Sequence, residues 1–414
     1  MNTMIGIADC DNFFVSCERR RHPELVGRPV VVLSAGSAAV IARSNEAKAM
    51  GVKMSMPYFL MKEQFGTERI IAIAGDHDYY KSVSAEVMNY LRNEVPQMWQ
   101  YSIDEAFFDL TGMHIDLKKW GERLAEGVQK NVGVPVSIGM APSKTLAKIA
   151  SRFAKKHAAY NKCCLIDDDD KRIKALKLTP IDDVWGIGRR YRKQMHANGI
   201  HTAHDLVAHS RSWLMTFTSQ SILETQDELR GISCIPFREE APNKSVSNTR
   251  TFPKMIESQD ELATEVANFA AACAHTLRSQ HTLACDISVF VETNLHRPDL
   301  PQYSNSMSKS LPMPTNLSTQ LIAESVGLLK SIYRTGFKYK RAGVTIHHIV
   351  SDNAVETNLL DFDAERHRKL SKLSVLADRL NSELGKRTVI LGRQVRNDHD
   401  VNVAEAGNQP ERDA

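Results

Sequence analysis

MIGIADCDNFFVSCERRR, residues 4–21, begins as an apolar run and turns, after Asp9, into a stretch with helical periodicity. A short apolar strand that ends on acids and feeds a helix is a characteristic unit of α/β layers. Further strands are expected at PVVVL (29–33), IIAIAG (70–75), AFFDL (106–110) and PVSIGMA (135–141). Helices are expected at NFFVSCERRR (12–21), IARSNEAKAM (41–50), DYYKSVSAEVMNYLRNEV (78–95), LKKWGERLAEGVQKNV (117–132) and SKTLAKIASRFAKK (143–156), with PYFLMKEQF (57–65) opened by Pro57. A sheet with helices on one face is the economical arrangement.

Outward from this block, an acidic run at Asp167–Asp170 precedes short helices and turns punctuated by Gly186, Gly188 and Gly199. The polar stretch APNKSVSNTRTF follows, and a linker is placed at 236–245. Beyond it, strand, long helix, strand, helix and strand alternate to about residue 350, a βαβ-like order that implies a compact α+β domain. The polar tail after about 397 reads as disordered.

At 414 residues, 42% hydrophobic and 25% charged, the chain is long enough for two to four domains. No stretch is a membrane span or signal peptide, so a cytoplasmic address without membrane partners is expected. Its seven cysteines lack the spacing of a zinc site or disulfide framework and read as reduced thiols. A net charge of +4 is too small to name a nucleic-acid partner, but it is unevenly spread. Clusters stand at Lys144, Lys148, Arg152, Lys155 and Lys156, at Arg189, Arg190, Arg192 and Lys193, and at Lys338, Lys340 and Arg341. They suit either a long polyanion or ordinary solvated faces.

Asp9 closes the first strand, and Asp104-Glu105 interrupts an apolar pattern between YSI and AFFDL. Adjacent strand residues face opposite sides, so the chain must turn there, and YSI-DE-AFFDL reads as a hairpin with its tip beside the end of strand one. Alone, the pair is as readily an exposed acidic turn. Three acids at strand ends would repel one another unless a cation filled the gap, and hard oxygen ligands select magnesium. Two such ions are the apparatus of phosphoryl transfer. Asp11 reads as a cap for the helix starting at Asn12. Arg43, Lys48 and Lys155 lie in expected helices, as phosphate contacts or as plain solvated charge. Gly186-Ile-Gly188, with Arg189 and Arg190 behind it, fits a helix-hairpin-helix that offers backbone N–H groups to a DNA phosphate, or a simple glycine-rich turn.

ADCDNFFVSCE (8–18), YSIDEAFFDLTG (101–112), VSIGMAPSKTLAKIAS (136–151) and IDDVWGIGRR (181–190) together resemble the Y-family translesion DNA polymerases, over about residues 4–395. The resemblance implies a multidomain α+β right hand: a ferredoxin-like palm (1–165) with small fingers inserted at about 20–75, a helical thumb with a helix-hairpin-helix (166–235), the 236–245 linker, an α+β little finger (246–350) and a C-terminal extension (351–414). It implies Mg2+-dependent, template-directed DNA synthesis across damage, without proofreading, in SOS mutagenesis and repair. Asp9, Asp104 and Glu105 match the catalytic, metal-binding acids, two Mg2+ ions being held with the Cys10 carbonyl. Phe13, Phe14, Arg43, Asn45, Lys48 and Lys155 fall at nucleotide-binding positions, Phe14 as an aromatic gate against a ribose hydroxyl. Asn45 stands where many members have tyrosine. Gly186, Gly188, Arg189, Arg190, Lys338, Lys340 and Arg341 are the expected DNA contacts. Implied partners are primer-template DNA, deoxynucleoside triphosphates, a UmuD-like accessory protein, a recombinase filament, and a sliding clamp met through Glu356, Leu359, Leu360 and Phe362. Two other readings stay open: a non-catalytic DNA-damage scaffold, and a nucleotide cyclase.

Overall fold

The computed structural model describes residues 3–34, 39–66, 68–237, 244–352, 364–385 and 388–394. The chain divides into two compact units, Met1–Glu240 and Ala241–Ala414.

The first unit is organised by a five-stranded sheet. In chain order it uses β1 (Ile5–Cys10), α1 (Phe13–Arg21), β2 (Val30–Leu33), β3 (Val40–Arg43), α2 (Asn45–Ala49), α3 (Tyr58–Phe65), β4 (Ile71–Ala74), α4 (His77–Glu94), β5 (Met98–Gln100), β6 (Glu105–Asp109), α5 (Leu117–Val132), β7 (Val136–Ala141), α6 (Lys144–Lys156) and β8 (Cys163–Leu165). The main sheet runs β5-β6-β1-β7-β8, and β3-β2-β4 form a separate small sheet. Helices cover both faces of the main sheet rather than the one expected. Ala8, Cys10, Ala106, Phe108, Ile138 and Met140 pack on α4 and α5, whereas Ile5, Ile7 and Phe107 pack on Leu146, Ile149 and Ala150 of α6. The strands are apolar at both parities, which is the mark of a sheet buried on two sides. Each Leu or Ile so buried stabilises the layer by about 1.5–3 kcal/mol.

One glycine lets α6 lie close. A Cβ at Gly139 would sit 2.1 Å from the Ala147 carbonyl oxygen and 2.3 Å from the Ser151 nitrogen, so only glycine fits on β7 beneath α6. Local signals differ from expectation in two places. Ile41–Arg43 belong to β3 and not to a helix; α2 begins only after Ser44, whose hydroxyl accepts from Ala47 N. The hairpin pairs Met98–Gln100 with Ala106–Phe108, so the YSI segment lies in the turn and not in a strand.

Five helices complete the first unit: α7 (Asp169–Leu178), α8 (Arg189–Ala197), α9 (Ala203–Ala208), α10 (Arg211–Met215) and α11 (Gln220–Leu229). Their apolar residues Leu176, Met195, Leu206 and Leu223, with Ile181 between α7 and α8, continue the core on the α6 side of the sheet.

The second unit contains β9 (Ser245–Ile256), α12 (Gln259–Ser279), β10 (Thr282–Thr293), β11 (Ser304–Thr315), α13 (Ser318–Ile332), β12 (Tyr339–Ser351) and α14 (Ala364–Glu383). Its sheet, β11-β10-β12-β9, is antiparallel throughout, which corrects the βαβ-like expectation. The strand missing from the sequence reading is β11, SNSMSKSLPMPT: an edge strand, exposed along its first seven residues, with no apolar alternation and with two prolines such as edges tolerate. The extension also holds a 20-residue helix, α14, where only a docking peptide and a tail were expected. The expected clamp peptide at Glu356–Phe362 and the tail beyond 394 lie outside the described residues. Among the described residues no helix is long and apolar enough to cross a membrane. The seven cysteines are free, five of them buried.

Candidate active site

β1 and β6 are antiparallel neighbours, and their register sets Asp9 opposite Glu105. Both residues share the parity of Ile7 and Phe107, so both carboxylates lie on the face that α6 covers. Asp104 is the last residue of the turn. Its carbonyl accepts from Cys10 N at 2.9 Å, while its carboxylate accepts from Ser102 Oγ at 2.6 Å. Strand register and a tight turn thus bring the three acids to one end of the sheet.

α6 answers with two lysines seven residues apart, hence on one helical face. Lys148 Nζ pairs with Glu105 at 2.8 Å and lies over the Tyr101 ring. Lys155 Nζ pairs with Asp9 and donates to the Cys10 carbonyl at 3.2 Å. Burial pushes the Asp9 carboxyl up to about 6; Lys155 opposes this, and repulsion from Glu105 and Asp104 adds to it. Burial also drives the Cys10 thiol upward, so Cys10 offers the site only its backbone oxygen.

A divalent ion fits this oxygen set. Among the described residues no three His, Cys, Asp or Glu side chains converge into a ready-made metal cage. Instead an ammonium occupies the position between the Asp9 carboxylate and the Cys10 carbonyl, two hard donors of the kind magnesium takes. The repulsion foreseen among the acids is therefore balanced by Lys148 and Lys155 of α6.

Asp11 does not cap the first helix. Asn12, in a left-handed conformation at φ 48°, holds the cap position without a side-chain bond, and the Asp11 carboxylate turns to Ser137 Oγ (2.9 Å) and Lys162 Nζ (2.7 Å). Asn12 bridges to the small sheet's helix instead: its amide donates to Asn45 Oδ1 at 3.0 Å, and its carbonyl accepts from Lys48 Nζ. Lys48 is lowered by burial first, then by the positive charges of Arg43 and Lys155. Lys48 thus lies within electrostatic reach of two other cations, an arrangement an anion would relieve. Arg43 gives one guanidinium nitrogen to the Val52 carbonyl at 2.6 Å, while its buried Nε has no partner among the described residues.

Phe13 and Phe14 separate. Phe13 is buried in the core, whereas Phe14 is half-buried, stacked on Tyr80 at 4.6 Å and edge-on to His77.

Farther along the first unit, Gly186 takes φ 91°, a turn that favours glycine, and Gly188 caps α8 with no side-chain acceptor at its start. The expected hairpin's first helix is only a 3-10 turn, Ile181–Asp183. Arg189, Arg190, Arg192 and Lys193 are exposed. The cluster on α6, by contrast, is not one open patch: Lys144 is buried, lying over the Phe237 ring at 3.7 Å, and Arg152 pairs with Asp183. In the second unit Lys338 pairs with Glu257 at 2.8 Å, Lys340 donates to the Pro253 carbonyl at 3.1 Å, and Arg341 pairs with Glu292 at 3.5 Å.

Lys148, Ser102 and Lys162 escaped the sequence reading as site residues. For Lys148 a signal existed, since its seven-residue spacing from Lys155 sets both on one face. For Lys162 none did, because its approach to Asp11 depends on the turn after α6.

The architecture is that of a Y-family DNA polymerase. A Y-family polymerase chimera of Dbh and Dpo4 superposes with a TM-score of 0.70 at 20% identity, over 84% of this chain and 99% of its own. Residues 8–152 match the impB/mucB/samB family and residues 243–359 its C-terminal domain. Protein UmuC of Salmonella typhimurium is 37% identical over 94% of this chain and 93% of its own length; protein ImpB of Salmonella typhimurium is 32% identical over 91% and 90%. DNA polymerase IV of Streptococcus pyogenes is 26% identical over 82% of this chain and 95% of its own length. The chain belongs to the impB/mucB/samB family of Y-family DNA polymerases. Within it the phrases RPVVVLS (28–34), VIARSNEAKAMGVKM (40–54) and ELRG (228–231) resemble UmuC.

Proposed function

We propose that this protein adds deoxynucleotides to a primer 3′-hydroxyl across damaged template, releasing pyrophosphate, in the bacterial cytoplasm. Translesion DNA synthesis, dependent on divalent metal, is the activity of the family to which it belongs. The observation that carries the residue assignment is the cation already held between the Asp9 carboxylate and the Cys10 carbonyl, with Glu105 facing Asp9 across the strand pair. Asp9, Asp104, Glu105 and the Cys10 carbonyl would hold two Mg2+ ions. Bound there, the ions would lower the charge on the triphosphate and favour ionisation of the primer hydroxyl.

The chain's own groups do the rest. Lys155, with Asp9 holding a metal, would serve the triphosphate, where Lys48 and Arg43 add positive charge. Asn45 fixes Asn12, and through it Lys48. Phe14, held flat on Tyr80, presents a wall against a 2′-hydroxyl. Backbone N–H groups at the start of α8, with Gly186, Gly188, Arg189 and Arg190, suit the DNA backbone, as do Lys338, Lys340 and Arg341 once freed from their surface pairs. A sliding clamp at Glu356, Leu359, Leu360 and Phe362, a UmuD-like protein and a recombinase filament complete the set of partners proposed.

Primer extension past an abasic site tests this reading against both alternatives. Wild-type protein is expected to extend the primer and Asp104→Ala to fail while still binding DNA. Binding without extension by the wild type would indicate a scaffold, and a cyclic nucleotide formed without DNA would indicate a cyclase.

A further inference from the structure

Asp11 is the one acid at this end of the sheet that the proposed function leaves unassigned, and it is firmly held. Its side chain is 13% exposed, with one oxygen on Ser137 Oγ and the other on Lys162 Nζ, while Lys155 Nζ stands 3.8 Å away. Ser137 is the register partner of Asp9 on β7, so Asp9 and Ser137 share the face covered by α6, and Asp11 joins them there through its bond to Ser137 Oγ. Lys155 therefore lies between two carboxylates, Asp9 and Asp11, and only the second has another cation of its own.

That cation is placed by an unusual turn. Asn161 and Lys162 are both left-handed, with φ 48° and 63°, and the Lys162 carbonyl accepts from Ile138 N at 2.7 Å, which ties the turn to β7. Left-handed backbone is disfavoured for any residue that bears a Cβ. The turn sends the lysine, half-exposed, back onto Asp11.

We propose that Lys162 is a positioning residue that tunes affinity for the incoming triphosphate by neutralising Asp11, so that Asp11 does not hold Lys155 back from the phosphates. This rests on the reading of Lys155 as a triphosphate contact. Lys162 need not touch substrate: removing its charge leaves Asp11 with Lys155 as its nearest cation, and Lys155 is then bound from two sides.

Single-nucleotide incorporation by the full chain on primer-template DNA tests this. Lys162→Met is expected to raise KM for the deoxynucleotide about fivefold, with kcat and melting temperature nearly unchanged, in keeping with a half-exposed ion pair. Adding Asp11→Asn to Lys162→Met is expected to restore KM, a rescue that a merely structural part for Lys162 would not give. An unchanged KM in Lys162→Met, or a rise that Asp11→Asn does not reverse, would overturn the proposal. Lys155→Met separates this failure from that of the underlying reading: if it leaves KM unaltered, Lys155 is no triphosphate contact and the proposal falls with it. If Lys155→Met raises KM and Lys162→Met does not, the relay through Asp11 alone is wrong.

Discussion

Asp9 and Glu105 face each other across the β1–β6 pair, each with a lysine of the same helix as its counter-ion. The acids belong to the sheet and the cations to α6, so the geometry of the site depends on how closely that helix is seated.

Gly139 is where the seating is decided. Gly139→Ala would press a methyl group into the backbone of Ala147 and Ser151. The expected cost is about 3 kcal/mol, read from denaturant unfolding, with incorporation reduced as Lys148 and Lys155 are displaced. A variant of unchanged stability would contradict the packing described.

The Asp9 carboxyl gives a pH dependence of definite sign. Its folded-state value, about 6, lies above the ordinary 3.8, so the folded state binds this proton more tightly than the unfolded chain does. The associated stability is fully present below about pH 4 and is lost as pH rises through about 6, amounting to about 3 kcal/mol at most. Metal-free protein is expected to show this loss in melting curves between pH 4 and 7 relative to Asp9→Asn. Added Mg2+ is expected to recover stability near pH 7 and to do little near pH 4.5, where the proton competes with it.

Phe14 makes a prediction about sugar choice. Phe14→Ala removes the ring stacked on Tyr80 and is expected to raise ribonucleotide incorporation relative to deoxynucleotide by roughly a hundredfold. A ratio of kcat/KM values that does not move would return Phe14 to the core of the first unit beside Phe13.

The cluster after Gly188 should read as a salt dependence. Replacing Arg189 and Arg190 by alanine is expected to weaken DNA binding on all sequences alike and to reduce the slope of log affinity against log salt by about one per lost phosphate contact. A salt slope equal to that of wild type would leave these arginines as plain surface charge.

Much of this was legible in sequence because local rules govern it. The three helices named for residues 78–156 and their strands follow apolar periodicity, and the hairpin at Asp104-Glu105 follows from two acids breaking an apolar run. Other features lay beyond such rules. Proximity to a helix start favours Asp11 as a cap, yet Lys162, 151 residues away, competes for its carboxylate and wins. Arg43 was assigned to a helix because Ala and Lys follow it, but pairing of Val31 with Arg43 extends the strand, and Ser44 starts the helix one residue later. β11 carries no apolar stripe, since an exposed edge needs none. These are long-range or solvent-facing choices, which periodicity within one segment does not encode.

Single-turnover incorporation on preformed DNA complexes tests the acids directly as metal-holding groups. Glu105→Ala and Asp9→Ala should each lose at least about 10²-fold in the rate of nucleotide addition, while gel-shift affinity for primer-template DNA stays within a few fold of wild type. A purified Glu105→Ala protein that adds nucleotides at the wild-type rate would contradict the assignment.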